Sequence, residues 1–390
     1  MNSIILLASI LLTGLAATFF APLQSLYLVT KMDVPSQYVG AYFFLSTVLS
    51  IFLSQRVATY SDKQVSRLPL IRGLSAMGVV SMFVFAYSTN LYVIITTGFL
   101  GVSFAIAVAP QLFAYARESY RGDKGDVFMS WARAMISIAW VIGPPLSFSV
   151  VSFVDYSTAF MISAGMYLCV LLLSFTMIAD VRECTNDEAQ EAEQERDDVP
   201  FWTTNVVLVS LGFCLFYLAL NAYMLAFPIY MVEVLGESEA SVGGVFSLTA
   251  LIEVPAIILC GYLIKRAGSL NLVVLASVVL CAYLTGVVFA QSYLTIYFLV
   301  PLAALAVALN SSAGLAYYQS LTETRLGYAS TVYNNLIRFG MGVGSLVFGL
   351  SGYFDLAFSL KFGAVCALLS FLLLIFSVRY KRHTQLAVEN

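Results

Sequence analysis

The sequence predicts an all-α integral membrane protein whose twelve transmembrane helices form two six-helix bundles related by pseudo-symmetry. Three observations predict this fold class. The 390 residues are 60% hydrophobic and only 11% charged, against about 25% charged residues in an ordinary soluble domain. Long uncharged runs, such as 1–30 and 269–322, exclude a disordered chain, a secreted disulfide scaffold and a soluble enzyme. The second half of the chain also repeats patterns of the first half.

Twelve apolar runs, separated by turn and charge signals, predict the helices, because a span needs about 20 apolar residues. The first run follows no basic residue and is too long for a signal peptide, so it is predicted as the first span. The predicted helices are 4–29, 39–57, 72–88, 91–116, 127–152, 157–179, 203–232, 239–264, 270–290, 293–319, 328–352 and 356–379. We expect bundles at 1–179 and 203–379, a linker at 180–202 and a cytoplasmic tail at 380–390.

The linker at 180–202 is the one long hydrophilic segment between the predicted spans. Its acidic residues outnumber its two arginines, Arg182 and Arg196. A block of like charge is normally a solvated and poorly ordered tether, although a regulatory docking site is the alternative. The acidic residues are Asp180, Glu183, Asp187, Glu188, Glu191, Glu193, Glu195, Asp197 and Asp198.

The basic residues predict the orientation, because Lys and Arg are retained in short cytoplasmic loops. If both termini are cytoplasmic, the inner face collects most of the 19 basic residues, and only Lys31 and Lys361 fall on the outer side. The inner set is Arg56, Lys63, Arg67, Arg72, Arg117, Arg121, Lys124, Arg182, Arg196, Lys265, Arg266, Arg325, Arg379, Lys381 and Arg382. We therefore expect a multi-pass protein with both termini in the cytoplasm.

An internal repeat relates the two halves. Residues 39–46 (VGAYFFLS) match residues 242–249 (VGGVFSLT), and Arg133 in span 5 matches Arg338 in span 11 at nearly the same spacing. Many transporters are built from two such repeats. Because each half holds six spans, the two bundles should have the same orientation.

Cofactor and enzyme chemistry are not expected. Five of the six cysteines lie in apolar runs, and the single histidine, His383, lies in the tail. No spacing is typical of a disulfide framework or a metal site, and no phosphate-binding loop for ATP occurs. We expect no cofactor, no metal and no nucleic-acid partner, and we expect the lipid bilayer as the surroundings.

Three ionisable side chains fall within the spans: Arg133, Glu253 and Arg338. Such a side chain costs roughly 2.5–3.5 kcal/mol on insertion scales, so it is a functional candidate by default. Glu253 is the only carboxylate deep in a predicted span. Our hypothesis is that it alternates between a proton carrier and an ion-pair partner of an arginine. The alternative is a permanent Glu–Arg pair that stabilises the bundle.

Amide side chains in the spans favour a neutral polyol as substrate, because an amide both donates and accepts hydrogen bonds. An aromatic side chain such as Trp140 would cover the apolar face of a sugar ring, and Tyr27, Tyr223 and Tyr317 are further aromatic candidates. A single amide is more often the source of an interhelical hydrogen bond. The candidate amides are Gln24, Gln111, Asn221, Asn310, Asn334 and Asn335.

Six plus six spans, cytoplasmic ends and a hydrophilic middle linker resemble the major facilitator superfamily of secondary transporters over the whole chain. The loop signature of that family after span 2 appears here as Ala58, Asp62, Lys63 and Val65, with Arg67 beyond, and both of its glycines are replaced. The resemblance implies that this loop is a cytoplasmic latch, with Asp62 pairing across to a partner helix. An ordinary basic inner loop is the alternative.

Span 5 carries Gly143, Pro144 and Pro145, which resemble the Gly-Pro motif of exporters and antiporters in that superfamily. Gly143 allows close helix approach and Pro144 removes a backbone hydrogen bond, so the helix can bend where the two halves rock. A simple packing kink is the alternative.

Four segments resemble a narrower group, the bacterial sugar efflux transporter family: 21–26 (APLQSL), 110–118 (PQLFAYARE), 131–133 (WAR) and 140–145 (WVIGPP). The resemblance implies proton-driven export of small sugars or glycosides across the bacterial inner membrane. We expect a monomer with a small-molecule substrate and protons as its partners. The alternatives are a multidrug efflux antiporter of the same superfamily and a non-transporting membrane sensor.

Overall fold

The computed structural model describes residues 2–62, 64, 66–120, 122–177, 202–320 and 326–388. All regular structure in these residues is helical. The predicted acidic linker, apart from Trp202, lies outside the described residues, as does Lys63 of the predicted latch.

Twelve long helices follow one another through the described residues. A π-helical stretch at Gly98–Val102 interrupts α4, and similar stretches at Tyr27–Lys31 and Tyr230–Val234 extend α1 and α7. The helices are α1 (Asn2–Leu26), α2 (Ser36–Asp62), α3 (Leu68–Tyr87), α4 (Leu91–Ser119), α5 (Gly122–Phe153), α6 (Tyr156–Ser174), α7 (Thr204–Ile229), α8 (Glu239–Ala267), α9 (Ser269–Phe289), α10 (Tyr293–Gln319), α11 (Leu326–Leu350) and α12 (Phe358–Val388).

Eleven of the described helices are long and apolar enough to cross a membrane. The remaining one, α11, has 25 residues. It is less apolar than a membrane-spanning helix of this length normally is, because its first half carries Asn334, Asn335 and Arg338. The predicted all-α membrane fold is confirmed.

Several helices extend beyond the predicted spans. α2 continues to Asp62, past residue 57, and α3 begins at Leu68 instead of residue 72. α5 begins at Gly122 instead of residue 127, and α12 continues to Val388, past the predicted end at residue 379. Charged residues end the apolar runs from which the spans are predicted. They do not end α12, because Lys, Arg and Gln are good helix formers.

Side-chain caps fix where several helices begin. The backbone N–H of Thr158 donates to Asp155 Oδ1 at 2.6 Å at the start of α6, and this hydrogen bond lowers the pKa of Asp155. Thr203 accepts from the N–H of Val206 at 3.4 Å at the start of α7, and Ser292 caps α10 in the same way. Each cap satisfies an N–H group that has no partner within its helix.

The chain divides into two compact units, and the division passes through two helices. The first turns of α2 belong to the second unit, and the first turns of α8 belong to the first unit. Unit 1 is Met1–Val34, Tyr42–Thr185 and Ser238–Ser247, and unit 2 is Pro35–Ala41, Asn186–Glu237 and Leu248–Asn390.

In unit 1, aromatic side chains of α1, α3 and α6 form a buried cluster. Phe20 lies edge-on to Phe85 with ring centroids 4.9 Å apart, and Tyr27 lies edge-on to Phe160 at 5.0 Å. Ser163 on α6 donates to the carbonyl oxygen of Ala16 at 2.9 Å. Aromatic packing and a hydroxyl–carbonyl bond thus hold these helices together.

In unit 2, glycines bring α11 close to α7. A Cβ atom at Gly340 would lie 2.6 Å from the carbonyl oxygen of Cys214, and one at Gly344 would lie 2.6 Å from that of Leu218. The two glycines are one turn apart, so they form the small-residue face that allows membrane helices to approach closely.

Candidate functional site

The three ionisable side chains predicted for proton coupling lie on α5, α8 and α11. Glu253 and Arg338 are partly buried, and Arg133 is exposed. None of the ion pairs between described residues includes any of the three. No pair of Glu253 with an arginine therefore occurs among the described residues, and the coupling role stays a prediction.

Gln24 and Asn221 each form hydrogen bonds to a neighbouring helix of their own unit. In unit 1, Gln24 donates to the Tyr42 hydroxyl at 2.6 Å. In unit 2, Asn221 donates to the carbonyl oxygen of Met341 at 2.7 Å and to the Ser345 hydroxyl at 3.0 Å. Both amides thus link helices, and their predicted contact with substrate stays a prediction.

A buried polar network joins the end of α2, the following loop and α4 in unit 1. The Arg67 side chain is only 6% exposed, and its Nε lies 2.8 Å from Glu118 Oε1. Its Nη1 donates to the Ser61 hydroxyl at 2.6 Å and to Gln111 Oε1 at 3.0 Å. The side chain of Asp62, the last residue of α2, is outside the described part.

The network brings together two residues for which the sequence predicts different roles. Arg67 is predicted for gating and Gln111 for substrate binding, and the structure places them in direct contact. Gln111 is 3% exposed, and the Ser61 hydroxyl also donates to its Oε1 at 2.6 Å. A buried guanidinium needs several hydrogen-bond acceptors, and these contacts supply them. The latch role of this loop stays a prediction.

The other binding candidates differ in exposure. Asn310 on α10 is only 1% exposed, and neither its Nδ2 nor its Oδ1 forms a hydrogen bond of good geometry. Asn334 and Asn335 are exposed on α11, and Trp140 on α5 is half-exposed. Asn310 is thus the one candidate amide among these whose side chain is both buried and unsatisfied.

The three tyrosines considered as aromatic platforms are buried. The Tyr223 hydroxyl lies 2.7 Å from that of Tyr283 on α9. Tyr27 belongs to the aromatic cluster of unit 1, and Tyr317 accepts a hydrogen bond from Asn205 at 3.4 Å. In this conformation only Trp140, among the aromatic candidates, presents an exposed face.

The Gly-Pro motif lies inside the continuous helix α5. A Cβ atom at Gly143 would collide with Thr18 Oγ1 on α1, whose hydroxyl donates to the carbonyl oxygen of Ala139 at 2.9 Å. Gly143 is therefore required for the close contact between α1 and α5. Pro144 and Pro145 follow directly, and their missing N–H groups leave that part of the helix with fewer backbone hydrogen bonds.

Two repeat-related glycines, Gly40 and Gly243, form close contacts that the sequence analysis did not assign. In unit 2, a Cβ atom at Gly40 would lie 2.5 Å from the carbonyl oxygen of Ser345 and would collide with Gly349. In unit 1, a Cβ atom at Gly243 would lie 2.9 Å from Phe148 Cβ. The signal was present in the sequence, because both glycines occupy the same place in the repeat.

The long apolar helices define a class of protein, a multi-pass membrane protein. The family follows from its sequence. Residues 6–345 match the model of the Major Facilitator Superfamily, so the chain belongs to that family of transporters and is not an enzyme.

Relatives of this chain include two bacterial transporters. It is 29% identical over 341 residues to sugar efflux transporter A of Dickeya chrysanthemi, covering 87% of this chain and 86% of the relative. It is 28% identical over 347 residues to sugar efflux transporter C of Escherichia coli (strain K12), and the match covers 87% of this chain and 86% of that relative.

Solved structures support the fold. A variant form of the nucleoside transporter NupG superimposes with a TM-score of 0.77 at 13% identity, covering 97% of this chain and 100% of the other. A bacterial homologue of the iron transporter ferroportin, in an inward-facing state, superimposes with a TM-score of 0.70 at 16% identity. The match covers 96% of this chain and 98% of the other. At these identities the likeness concerns the fold alone.

The pair of buried Arg67 and partly buried Glu118 should contribute more to stability than an exposed pair. Replacing Glu118 by Ala removes the carboxylate that lies 2.8 Å from the buried guanidinium of Arg67. We expect a loss of about 2–4 kcal/mol in the free energy of unfolding. The measurement is unfolding of the purified variant in detergent.

The matched control is Asp355, which pairs with Lys361 at 2.9 Å with both side chains more than half exposed. Asp355→Ala should change the stability by less than about 1 kcal/mol. Equal effects of the two substitutions would contradict the structural role assigned to Arg67 and Glu118.

Proposed function

We propose that this chain is a proton-coupled secondary active transporter that exports small sugars or glycosides by alternating access. The observation that carries the proposal is similarity over 87% of the chain to proteins named sugar efflux transporters. A second candidate, multidrug efflux, belongs to the same superfamily and differs in the substrate that its cavity accepts.

The polar composition of the spans supports a neutral substrate over a lipophilic cation. A multidrug exporter would be expected to bind cations with embedded acids and aromatic rings, and Glu253 is the only acid deep in a predicted span. The amides suit a polyol better than a lipophilic cation, because each amide can donate a hydrogen bond to one hydroxyl and accept one from another. They are Gln24, Gln111, Asn221, Asn310 and Asn334.

Glu253 is the proposed proton carrier. Its side chain is partly buried, and no ion pair among the described residues engages it in this conformation. A carrier needs this freedom, because it must bind a proton in one state and meet a cation in another. Arg133 and Arg338, which also form no ion pair here, are the proposed alternative partners.

Alternating access requires close contacts that can open. We propose that two contacts separate during the transport cycle: Gly40 on Gly349 in unit 2, and Gly243 on Phe148 in unit 1. The rings of Phe148 and Phe246 stack with centroids 5.6 Å apart beside the second contact. The two contacts involve the same position of the repeat, so the same step would open both.

The proposed location is the bacterial inner membrane, with both termini in the cytoplasm and the protein acting as a monomer. The excess of basic residues in the predicted inner loops supports this orientation. The predicted linker at 180–202 would then lie on the cytoplasmic side and act as a tether between the halves.

The proposal predicts that wild-type protein in everted membrane vesicles accumulates labelled sugar when the vesicle interior is acidified. Glu253→Gln removes the only group in our account that can carry the proton. We expect this variant to lose gradient-driven accumulation by at least tenfold while it still equilibrates sugar down its own gradient.

The control is Glu233→Gln, because Glu233 is an exposed carboxylate in the π-helical stretch that follows α7. This variant should accumulate sugar like the wild type. Full proton-driven accumulation by Glu253→Gln would refute the coupling role of Glu253, and no accumulation by the wild-type protein would refute proton-coupled sugar export.

Bulky side chains at the repeat-related glycines should favour the state in which their contacts are open. Ser36, at the start of α2, is 7% exposed. In a variant without native cysteines, Ser36→Cys should react several-fold faster with a membrane-impermeant thiol reagent after Gly40→Leu or Gly243→Leu is added.

Gly261→Leu is the matched control, since Gly261 on α8 has no atom within 4 Å of the added Cβ. It should leave the reactivity of Ser36→Cys unchanged. If neither Gly40→Leu nor Gly243→Leu alters the reactivity, the two contacts do not open in the cycle.

A further inference from the structure

Three buried polar side chains meet in unit 2 where α7, α10 and α11 pack together. They are Tyr217, Asn310 and Tyr333, which we call the tyrosine–asparagine node. The two tyrosine hydroxyls lie 2.9 Å apart, and the Tyr333 hydroxyl lies 3.4 Å from the carbonyl oxygen of Asn310. The Asn310 side chain lies beside the Tyr217 hydroxyl.

The side chain of Asn310 is the unusual member of this node. It is 1% exposed, yet neither Nδ2 nor Oδ1 makes a hydrogen bond of good geometry to a protein group. Gln24, Gln111 and Asn221, in contrast, each hydrogen-bond to protein groups. A buried amide without such bonds is unfavourable, so its retention calls for another partner.

The surroundings of the node are aromatic. Phe213 contacts Tyr333 edge-on with ring centroids 5.4 Å apart, and Tyr318 lies 5.6 Å from Tyr333. Gly314, one turn after Asn310, provides the space, because a Cβ atom there would lie 2.6 Å from Tyr333 Oη. The ring of Tyr333 is thus held with its hydroxyl directed at the backbone of Asn310.

Tyr217 is the most exposed member of the node. Tyr217 is 9% exposed, and Asn334, which follows Tyr333 along α11, is exposed. In this conformation the hydrogen bond between the Tyr217 and Tyr333 hydroxyls closes the node. Both hydroxyls can donate or accept, so this bond can be exchanged for bonds to an incoming hydroxyl group.

We propose that Asn310, Tyr217 and Tyr333 form a binding subsite for two adjacent hydroxyls of a neutral sugar or glycoside. Nδ2 of Asn310 donates to one hydroxyl, its Oδ1 accepts from the other, and the tyrosine hydroxyls complete the bonds. None of the three side chains carries a carboxylate, so the subsite suits an uncharged polyol and not a cation. This inference rests on the proposed function and adds to it the residues that recognise the substrate.

A purely structural role makes a different prediction. If Asn310 only fills space, Asn310→Leu replaces it with an apolar residue of similar size, and transport should be unaffected. If it binds hydroxyls, the same variant leaves the tyrosine hydroxyls in place and removes both amide bonds to the substrate.

The test uses everted vesicles and a panel of labelled mono- and disaccharides, followed by monodeoxy analogues of a sugar that the wild-type protein transports. We expect Asn310→Leu to raise the half-saturating sugar concentration at least tenfold. The wild type should transport one or two of the deoxy analogues at least tenfold less well than the parent sugar. Asn310→Leu should transport these analogues no less well than it transports the parent sugar, because the missing hydroxyl and the missing amide belong to the same contact.

Two further variants keep the test decisive. Tyr217→Phe retains the ring and removes only the hydroxyl, so it should fold normally and still raise the half-saturating concentration several-fold. Asn271→Leu replaces an amide on α9 that donates to the carbonyl oxygen of Ala267 at 2.8 Å, and it should behave like the wild type.

The outcomes separate the two proposals. Sugar transport by the wild type, with unchanged half-saturating concentrations in Asn310→Leu and Tyr217→Phe, would overturn the subsite alone. Equal losses in Asn310→Leu for the parent sugar and for every deoxy analogue would also overturn it. No sugar transport by the wild type would overturn the proposed function, and the subsite with it.

Discussion

A polar side chain within a lipid bilayer meets no water, so it needs a protein partner or a bound molecule. This constraint explains most of the polar contacts described here. The hydroxyls of Thr18 and Ser163 donate to backbone carbonyls of neighbouring helices. Burial creates the same need outside the spans, where buried Arg67 contacts the carboxylate of Glu118. Asn310 and Glu253 differ, because in this conformation no described protein group satisfies the amide or pairs with the carboxylate.

The second constraint is close helix approach. Membrane helices gain little from burying apolar surface against each other, so they associate through tight packing at small residues. Gly340 and Gly344 provide such a face between α7 and α11, and Gly143 provides it between α1 and α5. Glycine contacts of this kind can also separate without breaking hydrogen bonds, which is why the contacts at Gly40 and Gly243 are suited to a conformational change.

The spans were predictable because hydropathy is a local property of the chain. The ends of α5 and α12 were not, since charged residues stop an apolar run without stopping a helix. The contact between Arg67 and Gln111 joins residues 44 positions apart, and only the fold reveals it. Likewise, the sequence marks Asn310 as a polar residue in a span, but it does not indicate that Gln24 and Asn221 have protein partners while Asn310 lacks them.

The central claim is that the protein moves neutral sugars and uses a proton gradient to do so. The most direct measurement is transport by purified protein reconstituted in liposomes, with an imposed pH gradient and a panel of labelled sugars together with one cationic dye. The account predicts gradient-driven movement of at least one sugar and no movement of the dye. Movement of the dye without any sugar would contradict it.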